Sequence, residues 1–343
     1  MLQSRFACGG RRVIGPLIEA RNISKRFTRP PDLASRLAAW AGAGAAPTAV
    51  HALDCIDLRV AAGEVVGLVG ESGSGKSTLG RIVAGLQDPT EGAVFFEGAD
   101  RSKLDADEQT RAFLAVQMIF QDPMSSLNPR MRVADIVSEA PVYHSLVGKI
   151  DARAYATQIF NQVGLNPALV DRYPHQFSGG QRARIGIARA LAVRPRMLVA
   201  DESIAALDAS IQAQIINLFM KLRDDLGLAY LFISHDLGVV RHIADRVAIL
   251  YLGRIVELAP ADSVLETPNH PYTQALLANM PRIADSKYTF APLEGEIPSP
   301  LAPPPGCHFH PRCSAAMGRC RDEVPQLREI APGWHSACHL NDR

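Results

Sequence analysis

The 343-residue chain has almost no net charge: 36 lysines and arginines against 35 aspartates and glutamates leave +1. Without a basic excess there is no global field to hold nucleic acid, and no nucleic-acid partner is expected. No apolar run approaches the ~20 residues that span a bilayer, because glycine or charge interrupts each one first. Residues 1–16 carry arginines and glycines but no hydrophobic segment of the kind found in a secretory signal, and are expected to be a disordered lead-in. No internal repeat is visible. What the chain does have is 47% apolar residues, enough for a substantial core. At this length that implies one large domain plus a smaller appendage.

The densest chemistry lies in Gly70-Glu71-Ser72-Gly73-Ser74-Gly75-Lys76-Ser77-Thr78, which fits G-x-x-x-x-G-K-S/T. Val65 to Val69 before it reads as a buried parallel strand, and Ser77 to Leu86 after it has helical spacing. Backbone N–H groups would then converge on a helix N-terminus, where the dipole favours an anion. Gly70, Gly73 and Gly75 let the main chain curl around phosphate oxygens. Lys76 would reach the β and γ phosphates and Ser77 would ligate Mg²⁺. The plainer alternative, a glycine-rich turn that binds nothing, is disfavoured by the strand and helix on either side.

Leu17 to Phe27 alternates like an edge strand, and 29–48 shifts to Pro, Ala and Gly, an exposed loop with one possible helical turn near 33–40. Ala52 to Val60 alternates as a half-exposed antiparallel strand. Val94 to Phe96 and Val116 to Phe120 are further strands, the second leading into Gln121. From Val133 to about Arg194 the period is helical, an insertion between strands. Met197 to Asp201 and Tyr230 to Ser234 are buried strands, with an amphipathic helix from Ser210 to Leu226 between them: a βαβ unit. Val247 to Leu252 and Ile255 to Leu258 form a hairpin expected to close the sheet. Proline-rich sequence at Pro298 to Pro305 marks a boundary before a cysteine-bearing tail.

Asp201 and Glu202 end a buried strand. Asp201 there can hold Mg²⁺ through water, and Glu202 can polarise water attacking a γ-phosphate. Alone, the pair could equally be two solvated acids; the phosphate loop tips the balance.

Phe177-Ser178-Gly179-Gly180-Gln181-Arg182 resembles the signature of ATP-binding-cassette (ABC) ATPases, usually Leu-Ser-Gly-Gly-Gln. The resemblance implies an α/β P-loop NTPase with a mostly parallel core sheet, an antiparallel β subdomain and a helical signature subdomain, followed by a small cysteine-containing tail. It implies that Ser178, Gly179, Gly180 and Gln181 cap ATP held by an opposing subunit. Gln121 matches the glutamine that contacts Mg²⁺ and the lytic water. His235 matches the switch histidine, and Asp208 the loop joining the two sites. Phe27 is the best match to the adenine-stacking aromatic, with strand-end packing as its alternative. Two departures stand out: Ser203 where proline is usual and Ala205 where serine is usual. Neither removes a charge or metal ligand, so an active site with altered turnover or a looser loop is expected.

Phe120 to Met131, Tyr173 to Phe177, Tyr251 to Glu257 and His270 to Leu277 resemble more narrowly the ATPases of dipeptide and oligopeptide importers. The fit is best to the second of the two paired ATPases, over about Leu17 to His339. This implies an ATPase domain over 17–265, with its helical part at about 122–194, and an extension over 266–343. The implied partners are a homologous ATPase in a heterodimer, two transmembrane permeases and an extracytoplasmic solute-binding protein. The implied place is peripheral, on the cytoplasmic face of the inner membrane. Cys307, Cys313, Cys320 and Cys338 match that subfamily's four-cysteine tail, which implies an iron–sulfur (4Fe–4S) cluster with zinc as the alternative. Disulfides or free thiols are the plainer readings. Competing functions are a soluble ATPase of a carbon–phosphorus lyase type of complex, or import of nickel, glutathione or opines.

Overall fold

The computed structural model describes residues 15–28, 49–122, 126–205, 207–278 and 295–342. Residues 1–14 of the expected lead-in (with Cys8), the 29–48 loop, residues 123–125 and Ala206 lie outside the described residues.

Strands β1 (Ile18–Thr28) and β2 (Ala49–Val60) precede β3 (Val65–Val69), whose end turns through the glycine loop into helix α1 (Lys76–Val83). Strands β4 (Glu91–Phe96) and β5 (Ala99–Asp100) lead to α2 (Ala106–Ala115) and β6 (Val116–Ile119). Helices α3 (Val133–Tyr143), α4 (Ala152–Gln162) and α5 (Gly179–Leu191) make up the helical insertion. Then come β7 (Met197–Asp201), α6 (Ala209–Leu226), β8 (Ala229–Ile233), α7 (Leu237–Ile243), β9 (Arg246–Tyr251) and β10 (Arg254–Pro260). Helix α8 (Ala261–Glu266) follows, and the extension contributes α9 (Pro271–Ala278), β11 (Arg328–Ala331) and β12 (Trp334–Ser336).

Two sheets result among the described residues. One is antiparallel, in the order β2-β1-β4-β5; the other has the order β11-β12-β10-β9-β3-β8-β7-β6 and is parallel from β9 to β6. Every residue of β3, β7 and β8 is buried, which explains why these strands read as unbroken apolar runs rather than alternating ones. The period of two divides β3 between two cores. Val66 and Leu68 face a core shared with Leu79, Ile82 and Val83 of α1 and with the antiparallel sheet. Val65 and Val69 face the other, shared with the helical insertion and with Phe219 of α6. Each such aliphatic side chain contributes roughly 1.5–3 kcal/mol by leaving water.

Two expectations fail. β1 is not an edge strand but lies between β2 and β4, because alternation reports which face is buried and says nothing about lateral partners. The β9–β10 hairpin does not close the sheet either. β12 pairs beyond it (Glu257 opposite Ser336, Leu258 opposite His335) and β11 pairs beyond that, so the tail continues the sheet.

Candidate active site

Strands β3, β6, β7 and β8 run parallel, so their C-terminal ends lie on one edge of the sheet. That edge receives the glycine loop from β3, Gln121 beyond β6, Asp201–Glu202 from β7 and His235 beyond β8. Four stretches separated by up to 165 positions in sequence therefore meet because of strand direction alone.

The loop enters α1 through Gly75, whose φ of +108° is closed to most side chains, and a Cβ there would stand 2.4 Å from the Ala52 carbonyl oxygen. At Gly70 a Cβ would stand 2.1 Å from the Leu250 carbonyl oxygen. These two glycines are thus needed because β2 and β9 press on the loop from outside, a requirement the motif alone does not reveal. Lys76 is buried, and its Nζ donates to the carbonyls of Gly70 (2.7 Å) and Glu71 (2.8 Å). Burial lowers its pKa, opposed by the charges of Glu202, Asp201 and Glu71.

Ser77 Oγ donates to Asp201 Oδ1 at 2.9 Å. Burial raises the Asp201 pKa, which the serine hydroxyl partly offsets. Gln121 Nε2 donates to Glu202 Oε2 at 2.9 Å, and His235 Nδ1 lies 3.7 Å from Glu202 Oε1. Glu202 has φ of +44°, a strained backbone for a side chain of this size, held by its N–H donating to the Ile233 carbonyl. Next to it the buried Ser203 hydroxyl has no hydrogen-bond partner among the described residues, which is where the departure from proline leaves its mark.

Ser178 caps α5: its Oγ accepts from the Gln181 N–H (3.3 Å), and Gln181 Oε1 accepts from the Ser178 N–H (2.9 Å). A Cβ on Gly180 would meet Ile211 at 2.6 Å, so this glycine also lets α5 pack on α6. Asp208 stands at the N-cap of α6 without a side-chain capping bond. Phe27, near the end of β1, is exposed, with Lys25 Nζ 5.4 Å from its ring centre.

The cysteine expectation is overturned. Among the described residues no group of three or more His, Cys, Asp or Glu side chains is placed to hold a metal ion. Cys307, Cys313, Cys320 and Cys338 line a cavity of about 10 Å³ together with His310 and His339. That volume suits about one water, not a 4Fe–4S cluster. Burial pushes the Cys307 thiol up to about 11 and raises Cys313 and Cys338. Both ring nitrogens of His339 are engaged, by Asp342 and by the Glu323 carbonyl. These four cysteines are free, with no disulfide among the described residues.

Sequence reasoning missed one polar assembly. The fully buried Glu257 carboxylate accepts from the N–H groups of Asn269 and His270 and from Trp334 Nε1. His270 Nδ1 accepts from the Tyr272 N–H, and Tyr272 OH accepts from the Glu71 N–H of the phosphate loop at 3.0 Å. The stretch at His270 stood out in the sequence, but nothing there pointed to Glu257 or Glu71.

A family described as ABC transporter matches residues 53–205, and one described as oligopeptide/dipeptide transporter, C-terminal region, matches residues 256–320. A putative peptide import ATP-binding protein of Brucella ovis is 50% identical over 94% of this chain and 97% of its own length. A probable peptide ABC transporter ATP-binding protein of Sinorhizobium fredii is 49% identical over 85% and 83%. The oligopeptide transport ATP-binding protein AppF of Bacillus subtilis is 46% identical over 85% and 90%. A dimeric ATP-binding cassette solved in a post-hydrolysis state with ADP and Pi superposes with a TM-score of 0.60 at 27% identity, over 71% of this chain and 98% of that one. No helix among the described residues is long and apolar enough to cross a membrane. The chain belongs to the ATP-binding proteins of ABC transporters, in the branch that carries the oligopeptide/dipeptide transporter C-terminal region.

Proposed function

We propose that this protein is the ATP-hydrolysing subunit that energises import of di- or oligopeptides through a membrane ABC transporter. The observation that carries the reading is the convergence at one sheet edge of Lys76, the Ser77–Asp201 pair and the Gln121–Glu202–His235 group. Lys76 neutralises the β and γ phosphates. Ser77, Asp201 and Gln121 offer oxygen donors suited to Mg²⁺, which would offset triphosphate charge. Glu202 accepts a proton from the attacking water, Gln121 orients that water, and His235 holds the glutamate and the γ-phosphate in line. Phe27 offers a face for adenine. Residues Ser178, Gly179, Gly180 and Gln181 present a helix N-terminus to the γ-phosphate on an opposing ATPase subunit, and Asp208 links the two sites.

Peptide transport is supported by the extension matched at 256–320 and by the names of the relatives. The partners would be a homologous ATPase, two permeases and a solute-binding protein, with this chain peripheral on the cytoplasmic face. Removing the chain from its host should abolish uptake of a peptide supplied as the sole source of a required amino acid, and Glu202→Gln should fail to restore it. Uptake unchanged in its absence would refute the transport role, and wild-type ATP hydrolysis by Glu202→Gln would refute the site.

A further inference from the structure

Glu71, the second residue of the phosphate loop, is tied to the C-terminal extension 241 positions away. Arg312 Nη1 donates to Glu71 Oε2 at 2.7 Å and Nη2 to Oε1 at 3.1 Å, a two-pronged guanidinium–carboxylate pair. The Arg312 side chain is 4% exposed and that of Glu71 22%. The guanidinium is held from below by aromatic rings: its carbon lies 5.9 Å from the Tyr251 ring centre, and Tyr251 packs on Tyr272 and Phe309, all three buried. With its N–H on Tyr272 and its carbonyl on Lys76, Glu71 is held at three points.

A carboxylate in a loop that receives a triphosphate is an electrostatic liability. Its charge already acts on Lys76, the residue that must answer the phosphates. We infer that Arg312 is a positioning residue for nucleotide binding: it neutralises Glu71 and turns it away from the incoming phosphates, so the extension is a working part of the ATP site. This rests on the reading of the loop as an ATP site. The extension joins the main sheet through β12 and reaches the loop through Arg312 and Tyr272.

The test uses the full chain and MgATP binding by titration. Arg312→Gln should weaken MgATP binding by about tenfold, the scale of one charge-assisted bond. Adding Glu71→Gln to it should recover most of that loss, since no unpaired carboxylate would remain. The single-variant defect should shrink at high salt, as the unpaired Glu71 carboxylate, about a fifth exposed, is partly screened. Arg312→Lys, which keeps the charge but not the fork, should fall between wild type and Arg312→Gln. Unchanged affinity in Arg312→Gln, or a loss that Glu71→Gln does not relieve, would overturn the proposal and leave Arg312 a fold-supporting residue. Wild-type protein that binds no MgATP, or Lys76→Ala that binds it equally well, would instead overturn the ATP-site reading and this proposal with it.

Discussion

The ATP-binding core and the C-terminal extension are held together by opposite means. In the core, the working side chains sit at the ends of parallel strands, and their partners are other strand-end residues: Ser77 on Asp201, Gln121 on Glu202. Dry apolar strands supply the rigidity. In the extension, regular structure is sparse, and three donors from two of its segments gather on one buried carboxylate of β10, Glu257. The core should therefore keep its shape when a functional side chain is lost, whereas the extension should lose shape when its polar anchor is removed. Since Tyr272 and Arg312 end on the phosphate loop, that shape also reaches the site.

The sharpest way to test this contrast is to strip function from the core without disturbing the fold. Lys76→Ala should remove tight ATP binding, and Glu202→Gln should keep binding but cut hydrolysis by at least about a hundredfold, trapping a closed ATP-bound dimer. Both variants should unfold at the wild-type denaturant midpoint to within a small shift. A large loss of stability in either would break the contrast. Ser178→Arg should likewise abolish turnover at the partner's ATP while nucleotide still binds this chain's own loop, as monomer titration would reveal.

The extension should behave the other way. Glu257→Ala leaves three donors, one buried and two part-buried, without their carboxylate and should cost about 3 kcal/mol, read from urea unfolding. Proteolysis within residues 295–342 should accelerate, and MgATP affinity should fall although no residue at the phosphates has changed. Retained affinity in a protein with a loosened extension would separate the two regions.

The smallest effect is a pH dependence. Burial depresses the His270 pKa from 6.5 to about 4. Between those values the unfolded chain takes up a proton that the folded chain refuses. The stability from neutral His270 is therefore fully present above pH 6.5 and lost as pH falls towards 4. It amounts to about 3 kcal/mol in all, about 2 of them gone by pH 5. A His270→Gln variant, less stable at pH 7, should show a flatter stability profile over that range. Parallel profiles would mean His270 is not buried in its neutral form.

The sequence by itself determined the local chemistry. Buried parallel strands read as apolar runs, the glycine loop as a phosphate cradle, and Asp201–Glu202 as a strand end bearing two acids. Each signal spans a few consecutive residues whose backbone geometry is self-imposed. Strand order was not legible: the inner place of β1 and the addition of β12 to β10 depend on lateral hydrogen bonds, which leave no periodic trace. The cysteines show the opposite error, since a spacing that resembles a metal tail folds around a cavity of only about 10 Å³. Only the tertiary structure could decide that Gly70 and Gly75 are glycines partly because other strands press on the loop, or that Arg312 meets Glu71. Those facts rest on which distant segments share one buried volume, and close packing decides that once the sheet has assembled.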